Sequence, residues 1–268
     1  MNNFTTIAPK YQQTAVLQKS ASEQLFDMLS ISRTDDVLDL GCGTGHLTRK
    51  IRSFTKGVVV GIDPSEGMVT VAQRNNQDGI AFHVQPAENL DMVDQFDVIF
   101  CNSAFQWFRN PSLAISNCYS ALSPGGRMAM QAPARNDYCP NFVLAVCSLR
   151  EHPDTQETFA HFHSPWFFLE TAEEYADIFA KAGFSVVSSA IETVRQRSTP
   201  TRAFEMFEMF ESGAAAGYLN PDCYNVMLPS KYISIARGLI ERQFESQAAH
   251  DGDVELTFHR IYLLGRRP

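Results

Sequence analysis

The chain has 268 residues, of which 44% are hydrophobic and 19% are charged. This length and composition are typical of a globular protein that buries a substantial core, and they disfavour intrinsic disorder. The 22 basic and 30 acidic residues give a net charge of −8, which disfavours general nucleic-acid binding because that function needs a cationic surface.

Cysteine usage and apolar runs bear on the cellular compartment. The six cysteines include no Cys-x-x-Cys pair, so we interpret them as reduced thiols. No stretch approaches the roughly 18 apolar residues that a membrane span needs. The start also lacks the basic and then apolar pattern of a signal peptide. We therefore expect a cytoplasmic protein, a monomer or weak dimer, with neither membrane nor nucleic acid as a partner.

The first half of the chain alternates helix-like and strand-like patterns. Apolar residues at helical spacing predict helices at 20–30, 45–54, 65–75 and 111–122. Short apolar runs predict strands at Val37–Leu40, Val58–Ile62, Ile80–Val84, Phe96–Phe100 and Arg127–Gln131. The last helix opens at Asn110-Pro111 and is followed by the turn signal Ser123-Pro124-Gly125-Gly126. This alternation predicts an α/β fold with a doubly wound parallel sheet.

The pattern changes after residue 131. Residues 132–170 give no clean strand, 171–182 and 200–250 have helical patterns, and Phe184–Val194 and Val254–Leu264 alternate like strands. We interpret residues 1–268 as one domain. Within it we predict an N-terminal helical lid at 1–30 and helical insertions at 132–182 and 198–250 that form a cap.

The most informative segment is Val37-Leu38-Asp39-Leu40-Gly41-Cys42-Gly43-Thr44-Gly45. It predicts a buried strand that runs into a tight turn, where glycines permit positive φ and the close approach of a ligand. Such turns bind nucleotide-like cofactors in doubly wound folds. Three interpretations compete: a turn without a ligand, a dinucleotide site, and an S-adenosylmethionine site. The dinucleotide site prefers G-x-G-x-x-G, whereas the G-x-G-x-G spacing found here favours S-adenosylmethionine.

Polar residues follow the next three predicted strands. Asp63 ends the second strand, where a carboxylate can accept hydrogen bonds from vicinal ribose hydroxyls. Glu88 follows the third strand, where an adenine would lie, and Asn102-Ser103 follow the fourth, where the reactive methyl would point. Because the carboxyl ends of parallel strands meet at one edge of the sheet, these residues predict a single crevice.

With these residues in place, the segment from 37 to 131 resembles class I S-adenosylmethionine-dependent methyltransferases. The matching stretches are VLDLGCGTG, GID, PAENL, FDVIFCNSAFQW and LSPGG. The resemblance implies a Rossmann-like seven-stranded sheet whose last two strands form an antiparallel pair. It also implies S-adenosylmethionine as cofactor, S-adenosylhomocysteine as product, and no metal. The cofactor-binding residues that it implies are Asp39, Gly41, Cys42, Gly43, Asp63, Pro64, Met68, Ala87, Glu88, Asn102 and Ser103.

Shorter motifs resemble enzymes that methylate carboxylates. Residues 8–18, 102–107 and 256–262 are similar to malonyl-acyl-carrier-protein O-methyltransferases. Trans-aconitate methyltransferases share the Gln106-Trp107 pair, and insect juvenile hormone acid methyltransferases have a related layout. The resemblance implies a small-molecule or acyl-carrier-bound acceptor, with Gln106, Trp107 and Tyr11 as catalytic residues that orient its oxygen.

A carboxylate acceptor needs no general base, because a carboxyl group with a pKa of about 4 is ionised at neutral pH. A second carboxylate would need a cation, for which Arg135 and Arg150 are candidates. His152, His161 and His163 are simplest to interpret as solvated or lid residues. One of the histidines could instead act as a base toward a phenol or an amine.

Two alternatives stay open. The same fold can methylate a nitrogen, a phenolic oxygen or a carbon of a small molecule, since a fold does not determine its chemistry. A catalytically idle protein that keeps the S-adenosylmethionine fold is the more remote possibility, and the acids at 39, 63 and 88 count against it.

Overall fold

The structure is a computed structural model that describes residues 16–75 and 79–268. Seven strands of the described residues form one sheet: β1 (Val37–Leu40), β2 (Val59–Asp63), β3 (Ile80–Val84), β4 (Phe96–Asn102), β5 (Leu122–Pro133), β6 (Ser185–Arg202) and β7 (Asp253–Arg266). Their spatial order is β3-β2-β1-β4-β5-β7-β6. Strands β1 to β5 pair in parallel, whereas β7 runs antiparallel to β5. The predicted Rossmann-like, doubly wound α/β sheet is confirmed.

Helices connect and flank the strands. They are α1 (Val16–Leu29), α2 (His46–Phe54), α3 (Glu66–Arg74), α4 (Pro111–Ala121), α5 (Pro140–Glu151), α6 (Gln156–Phe159), α7 (Ala172–Lys181), α8 (Ala203–Ser212), α9 (Ala215–Tyr218) and α10 (Tyr232–Gln247). The predicted start at Asn110-Pro111 is confirmed, because the Asn110 side chain accepts a hydrogen bond from Leu113 N and caps α4. None of the described helices has the length and apolar character that crossing a membrane requires.

The sheet buries apolar residues on both faces. Neighbouring residues of β1 fall into two separate apolar clusters, because successive side chains of a strand point to opposite faces. One cluster includes Leu25 of α1, Ile51 of α2 and Val69 of α3. The other includes Ile115 of α4 and Phe179 of α7. Covered on both faces, the carboxyl ends of the central strands are held in fixed positions.

One predicted turn lies inside a strand. β5 begins at Leu122, not at Arg127, so the Ser123–Gly126 segment belongs to it. Pairing with β4 shifts register at this point, and Gly125 N donates to Arg267 O at 3.0 Å. Turn-forming residues therefore occupy an irregularity of the strand, where a bulge accommodates them. Residues 200–202, predicted to be helical, form the end of β6.

The chain divides into two compact units. The core unit comprises the described residues up to Asn136 with Phe167–Glu192 and Arg260–Pro268, and the helical unit comprises Asp137–Trp166 and Thr193–His259. The helical unit contains α5, α6, α8, α9 and α10. Its packing includes the Phe142 ring, which meets the rings of Phe210, Phe244 and Phe258 at centroid distances of 5.5, 5.8 and 5.9 Å. The predicted boundaries of lid and cap stay predictions.

Candidate active site

The glycine turn leaves β1 where the strand order reverses between β1 and β4, the switch point at which doubly wound sheets bind ligands. Gly41 and Gly43 have φ values of +77° and +53°. A Cβ on Gly41 would lie 2.3 Å from the Cβ of Ala104, so packing inside the protein excludes any side chain there. Among the described residues, a Cβ on Gly43 would meet no atom within 4 Å. The described part of the chain therefore leaves space beside the Gly43 backbone.

Both carboxylate oxygens of Asp63 hold the end of β2 in place. Oδ2 accepts from Gly43 N at 3.0 Å and Oδ1 accepts from Ser65 N at 2.8 Å. Burial raises the pKa of this carboxyl, and the two amide hydrogen bonds act in the opposite direction. A carboxylate offers about four lone-pair sites, so each oxygen can also accept from a ribose hydroxyl. Pro64 lies in the same loop, and Met68 is buried in the first turn of α3.

Asp39 lies inside the strand that leads to the turn and is buried. Its Oδ2 accepts from Thr48 Oγ1 at 2.6 Å, which ties β1 to α2. Burial raises the pKa of Asp39 to about 7; the Thr48 hydrogen bond lowers it and the charge of Asp63 raises it. Burial likewise raises the pKa of the Cys42 thiol far above its usual value, with further increases from Asp39 and Asp63. Cys42 is thus a neutral thiol.

The loop after β3 is connected to α4 through Glu88. Its Oε1 accepts from Arg109 N at 2.7 Å and from Asn110 N at 3.1 Å. Asn117 Nδ2 donates to the main-chain oxygens of Ala87 and Glu88 at 3.3 and 2.8 Å. The Glu88 carboxylate therefore has a structural task at the start of α4, and its predicted contact with adenine stays a prediction.

A chain of buried and half-buried polar side chains joins the carboxyl ends of β4 and β5 to the middle of β7. With the Gln131 amide oriented so that its oxygen faces donors and its nitrogen faces acceptors, the nitrogen donates to Asn102 Oδ1 and Ser103 Oγ, both at 3.0 Å, and the oxygen accepts from Arg260 Nη1 at 2.7 Å. Gln131 is fully buried and Arg260 is 7% exposed. Ser103 has a φ of +56°, a strained value for a residue other than glycine, and its N–H donates to Gln131 O at 2.8 Å. We call Asn102, Ser103, Gln131 and Arg260 the strand-end cluster.

Gln106 and Trp107 form a short 3₁₀ turn after the strand-end cluster residue Ser103. Gln106 is buried, and its Nε2 donates to Ser103 O at 2.9 Å. Its Oε1 is buried and has no hydrogen-bond partner among the described residues. The atom that Gln106 offers is thus an acceptor, which suits a ligand N–H or O–H. Trp107 is half-buried, and its N–H donates to Ala104 O at 2.9 Å.

The structure describes all of the remaining candidate residues except Tyr11. Tyr11 is outside the described residues, so its role stays a prediction. Arg135 is half-buried in the core unit. Arg150, an exposed residue of the helical unit, lies over the Phe159 ring at 5.7 Å. The candidate histidines, all in the helical unit, are His152, His161 and His163. Among residues 16–75 and 79–268, no three His, Cys, Asp or Glu side chains are grouped to hold a metal ion.

Comparison with known proteins tests the resemblance. Residues 31–183 match a family model described as a methyltransferase domain. The chain belongs to this methyltransferase family. The predicted resemblance to methyltransferases is thereby confirmed. The matched region contains the glycine turn, Asp63 and Glu88, together with Asn102, Ser103 and Gln131 of the strand-end cluster.

Individual relatives cover different parts of this methyltransferase-family chain. A malonyl-[acyl-carrier protein] O-methyltransferase of Priestia megaterium is 32% identical over 130 residues, which are 47% of this chain and 47% of that protein. The chain thus spans about half the length of this relative, and likewise of a malonyl-[acyl-carrier protein] O-methyltransferase of Bacillus cereus. A trans-aconitate 2-methyltransferase of Deinococcus radiodurans is 25% identical over 237 residues, 87% of this chain and 86% of that protein.

A solved methyltransferase, from a complex with the Trm112 methyltransferase activator of Haloferax volcanii, has the same fold. It superposes with a TM-score of 0.63 at 18% identity, covering 100% of this chain and 99% of that chain. At this level of identity the similarity supports the fold alone.

The sequence predicts no role at the site for three residues: Thr48, Gln131 and Arg260. Thr48 lies in a helix pattern, where nothing marks a hydroxyl as the partner of a buried acid. Gln131 and Arg260 occur within apolar strands. A polar residue inside an apolar run is a signal that could have identified Gln131 and Arg260. The sequence does not show, however, that the strands carrying these two residues are neighbours in the sheet.

Proposed function

We propose that the protein transfers a methyl group from S-adenosylmethionine to a carboxylate oxygen of a small-molecule or acyl-carrier-bound acid. The observation that carries the cofactor assignment is the pairing of Gly43 with Asp63. The uncrowded Gly43 backbone lets a ligand approach, and Asp63 is anchored beside it with acceptor capacity for hydroxyl groups. Backbone approach and hydroxyl recognition are together what a nucleoside-containing ligand needs.

The predicted cofactor residues fit S-adenosylmethionine in the order of the strand ends. The turn from Gly41 to Gly43 would hold the methionine portion, Asp63 would accept from the ribose hydroxyls, and the Ala87–Glu88 backbone would meet the adenine. S-Adenosylmethionine supplies an electrophilic methyl group on a positively charged sulfur.

A carboxylate acceptor fits the chemistry of the strand-end cluster. A carboxylate oxygen forms the new O–C bond as the C–S bond breaks, the electron pair of that bond stays on sulfur, and no proton moves. The protein's task is to hold the reactants in line and to exclude water, which accounts for much of the rate enhancement in such transfers. The amide and hydroxyl groups of Asn102 and Ser103 can position a substrate without exchanging protons with it.

The names of the relatives support an acidic acceptor. One relative is named for malonyl-[acyl-carrier protein] and another for trans-aconitate, and both names describe compounds that carry carboxyl groups. A second candidate acceptor is an amine or a phenol. The observation that favours it is Gln106, whose buried Oε1 is suited to a ligand N–H or O–H.

Cofactor binding is tested by calorimetry with S-adenosylhomocysteine. We expect Asp63→Ala to weaken binding at least about tenfold, because it removes hydrogen bonds to a carboxylate. Asp177→Ala, an exposed residue of α7, is the matched control and should bind like the wild type. Failure of the wild type to bind S-adenosylhomocysteine, or binding of NAD in its place, would contradict the cofactor assignment.

The acceptor is tested by transfer of a labelled methyl group to free acids, malonyl thioesters, amines and phenols. Label in a product that mild base hydrolyses indicates a carboxylate ester, whereas base-stable label indicates an amine or a phenol ether. Binding of S-adenosylhomocysteine without transfer to any acceptor would favour an idle binding protein.

A further inference from the structure

We propose that Arg135 binds a second carboxylate of the methyl acceptor, so that the enzyme prefers dicarboxylic acids, with one carboxylate for methylation and the other for anchoring. The inference rests on the proposed carboxylate methylation and deepens it by naming the substrate class and the residue that selects it. Three features of Arg135 support this role: its place in the fold, its backbone conformation and its uncommitted charge.

Arg135 lies close to the turn that carries Gln106. It follows the carboxyl end of β5, two residues after Pro133. Its N–H donates to Leu169 O at 3.0 Å, and in the same segment Phe167 N donates to Gln106 O at 2.8 Å. Because residues 167 and 169 are two positions apart, their Cα atoms are separated by at most about 7 Å. One short segment therefore holds the backbone of Arg135 close to that of Gln106, in the turn after the strand end at which the methyl group is expected.

The backbone of Arg135 has a conformation that favours glycine. Its φ is +69°, in the left-handed region, where a residue with a side chain is strained. Ser103, which follows the neighbouring strand β4, has a φ of +56°. If position 135 served only to turn the chain, glycine would form the same turn without strain. An arginine kept in this conformation beside the strand ends indicates that its side chain has a task other than turning the chain.

The guanidinium of Arg135 carries a charge that no acid of the described chain neutralises. It forms no ion pair and no hydrogen bond with any group in residues 16–75 and 79–268. The carboxylate of Glu170, the residue after Leu169, accepts instead from the backbone N–H and the side-chain amide of Asn136 at 3.0 and 2.6 Å. Arg135 is half-buried, so part of its surface is accessible from solvent. A guanidinium stays protonated at physiological pH, and its rigid fork of N–H donors matches the two oxygens of a carboxylate.

The chemistry of the product decides which carboxylate Arg135 holds. Methylation turns the reacting carboxylate into a neutral ester, so a guanidinium bonded to that group would lose its charged partner in each cycle. A guanidinium bonded to the attacking oxygen would also withdraw electron density from it. An ion pair with a second carboxylate avoids both problems, because that charge is unchanged by the reaction.

Two other arginines are less suited to this task. Arg150 belongs to the helical unit and lies over the Phe159 ring. Arg260 is covered by the folded chain and donates to the Gln131 side chain, so it serves the strand-end cluster itself. Arg135 combines a place beside the strand ends with a charge that is left for a ligand.

The test compares acids that differ in one charge. Wild type, Arg135→Gln, Arg135→Lys and the control Arg266→Gln are assayed with succinate and glutarate and with their monoamides, succinamate and glutaramate. Arg266 is exposed and ends β7. We expect the wild type and the control to prefer the dicarboxylates, and Arg135→Gln to lose about 10- to 100-fold in kcat/KM toward them, mainly through KM. Toward the monoamides Arg135→Gln should change little, and Arg135→Lys should be intermediate.

The variant Arg135→Gly separates substrate binding from folding. It removes the guanidinium and the left-handed strain together, so its activity toward the dicarboxylates should fall like that of Arg135→Gln while its melting temperature stays close to that of the wild type or rises. A large fall in melting temperature, with equal losses of activity toward dicarboxylates and monoamides, would show that the side chain supports the fold and would overturn the proposal.

S-Adenosylhomocysteine calorimetry accompanies each assay. An Arg135→Gln variant that loses cofactor affinity as much as dicarboxylate activity would overturn the proposal, because Arg135 would then serve the cofactor's own carboxylate. A wild type that methylates the monoamides as well as the dicarboxylates would also overturn it, whether or not the variants fold, and would leave the proposed function intact. A wild type that methylates amines or phenols and none of these acids would instead contradict the proposed function.

Discussion

The substitution Gly43→Ala separates an effect on protein stability from an effect on ligand binding. The residue has a φ of +53°, and a Cβ placed on it meets no atom of the described residues within 4 Å. The variant should therefore fold, with only the strain of an alanine in the left-handed region. Such strain costs about 1–2 kcal/mol, which lowers the melting temperature of a protein of this size by roughly 2–8 °C.

Ligand binding should be weakened in addition to folding. The new methyl group would occupy the space in which the proposed cofactor meets the turn backbone. Overpacking a close contact costs about 1–3 kcal/mol, which corresponds to an increase of about 5- to 150-fold in the dissociation constant of S-adenosylhomocysteine. Calorimetry measures this constant, and a thermal melt of the same sample measures the cost to folding.

Two other glycines provide matched controls. Gly125 has a φ of +81°, and a Cβ on it would likewise meet no atom in the described part of the chain within 4 Å, so Gly125→Ala should lose similar stability and bind normally. Gly41→Ala would place its Cβ 2.3 Å from that of Ala104, well inside ordinary carbon–carbon contact, and should destabilise the fold itself. If Gly43→Ala binds S-adenosylhomocysteine within about threefold of the wild type, a difference well below the overpacking cost, the turn does not approach the cofactor and the reasoning is refuted.

Three further substitutions test individual side chains. Asp39→Asn should increase the free energy of unfolding more at pH 8 than at pH 5. The pKa of Asp39 is raised from 3.8 to about 7 in the folded protein, so the folded state holds a proton that the unfolded chain releases. The stability that this proton provides is lost as the pH rises through this interval, and asparagine does not lose it. Paired urea titrations measure the difference, and equal effects at both pH values would contradict it. Gln106→Leu should lower turnover about tenfold and leave S-adenosylhomocysteine affinity nearly unchanged, since it removes a buried acceptor that has no partner among the described residues; loss of the Nε2 bond to Ser103 O should lower the melting temperature slightly. Equal losses of turnover and affinity would indicate a structural role. Glu88→Ala should lower the free energy of unfolding by about 1 kcal/mol, because the amides of Arg109 and Asn110, just before α4, lose their acceptor. Glu88→Gln, which keeps an acceptor, is the control in urea unfolding, and an equal loss in both variants would argue against this role.

Sequence predicts those features whose cause is local. The bounds of β1 and β3 follow from short apolar runs and agree with the structure residue for residue. Asp63 is predicted to lie at the turn because carboxyl ends of parallel strands converge, and its bond to Gly43 N agrees with that placement.

Features that depend on register could not be predicted in this way. Gln131 is polar within an apolar strand, and its importance becomes visible only when β7 lies beside β5 and brings Arg260 to it. The Ser123–Gly126 segment contains the residues of a turn, yet its pairing with the end of the chain makes it part of β5. In both cases a distant segment decides the outcome, and composition within a short window carries no information about it.

The sheet order has a consequence for assembly during synthesis. β7 is the last of the seven strands to be made, yet it lies between β5 and β6. Until it arrives, β5 is an open edge with unpaired backbone groups, and β6 has no neighbour to join. A ribosome-bound chain that ends before Asp253 contains the five parallel strands and the glycine turn, while the open edge of β5 and the separate β6 both still need β7. Completion of this fold is therefore a late insertion that fills a gap, not the addition of an outermost strand.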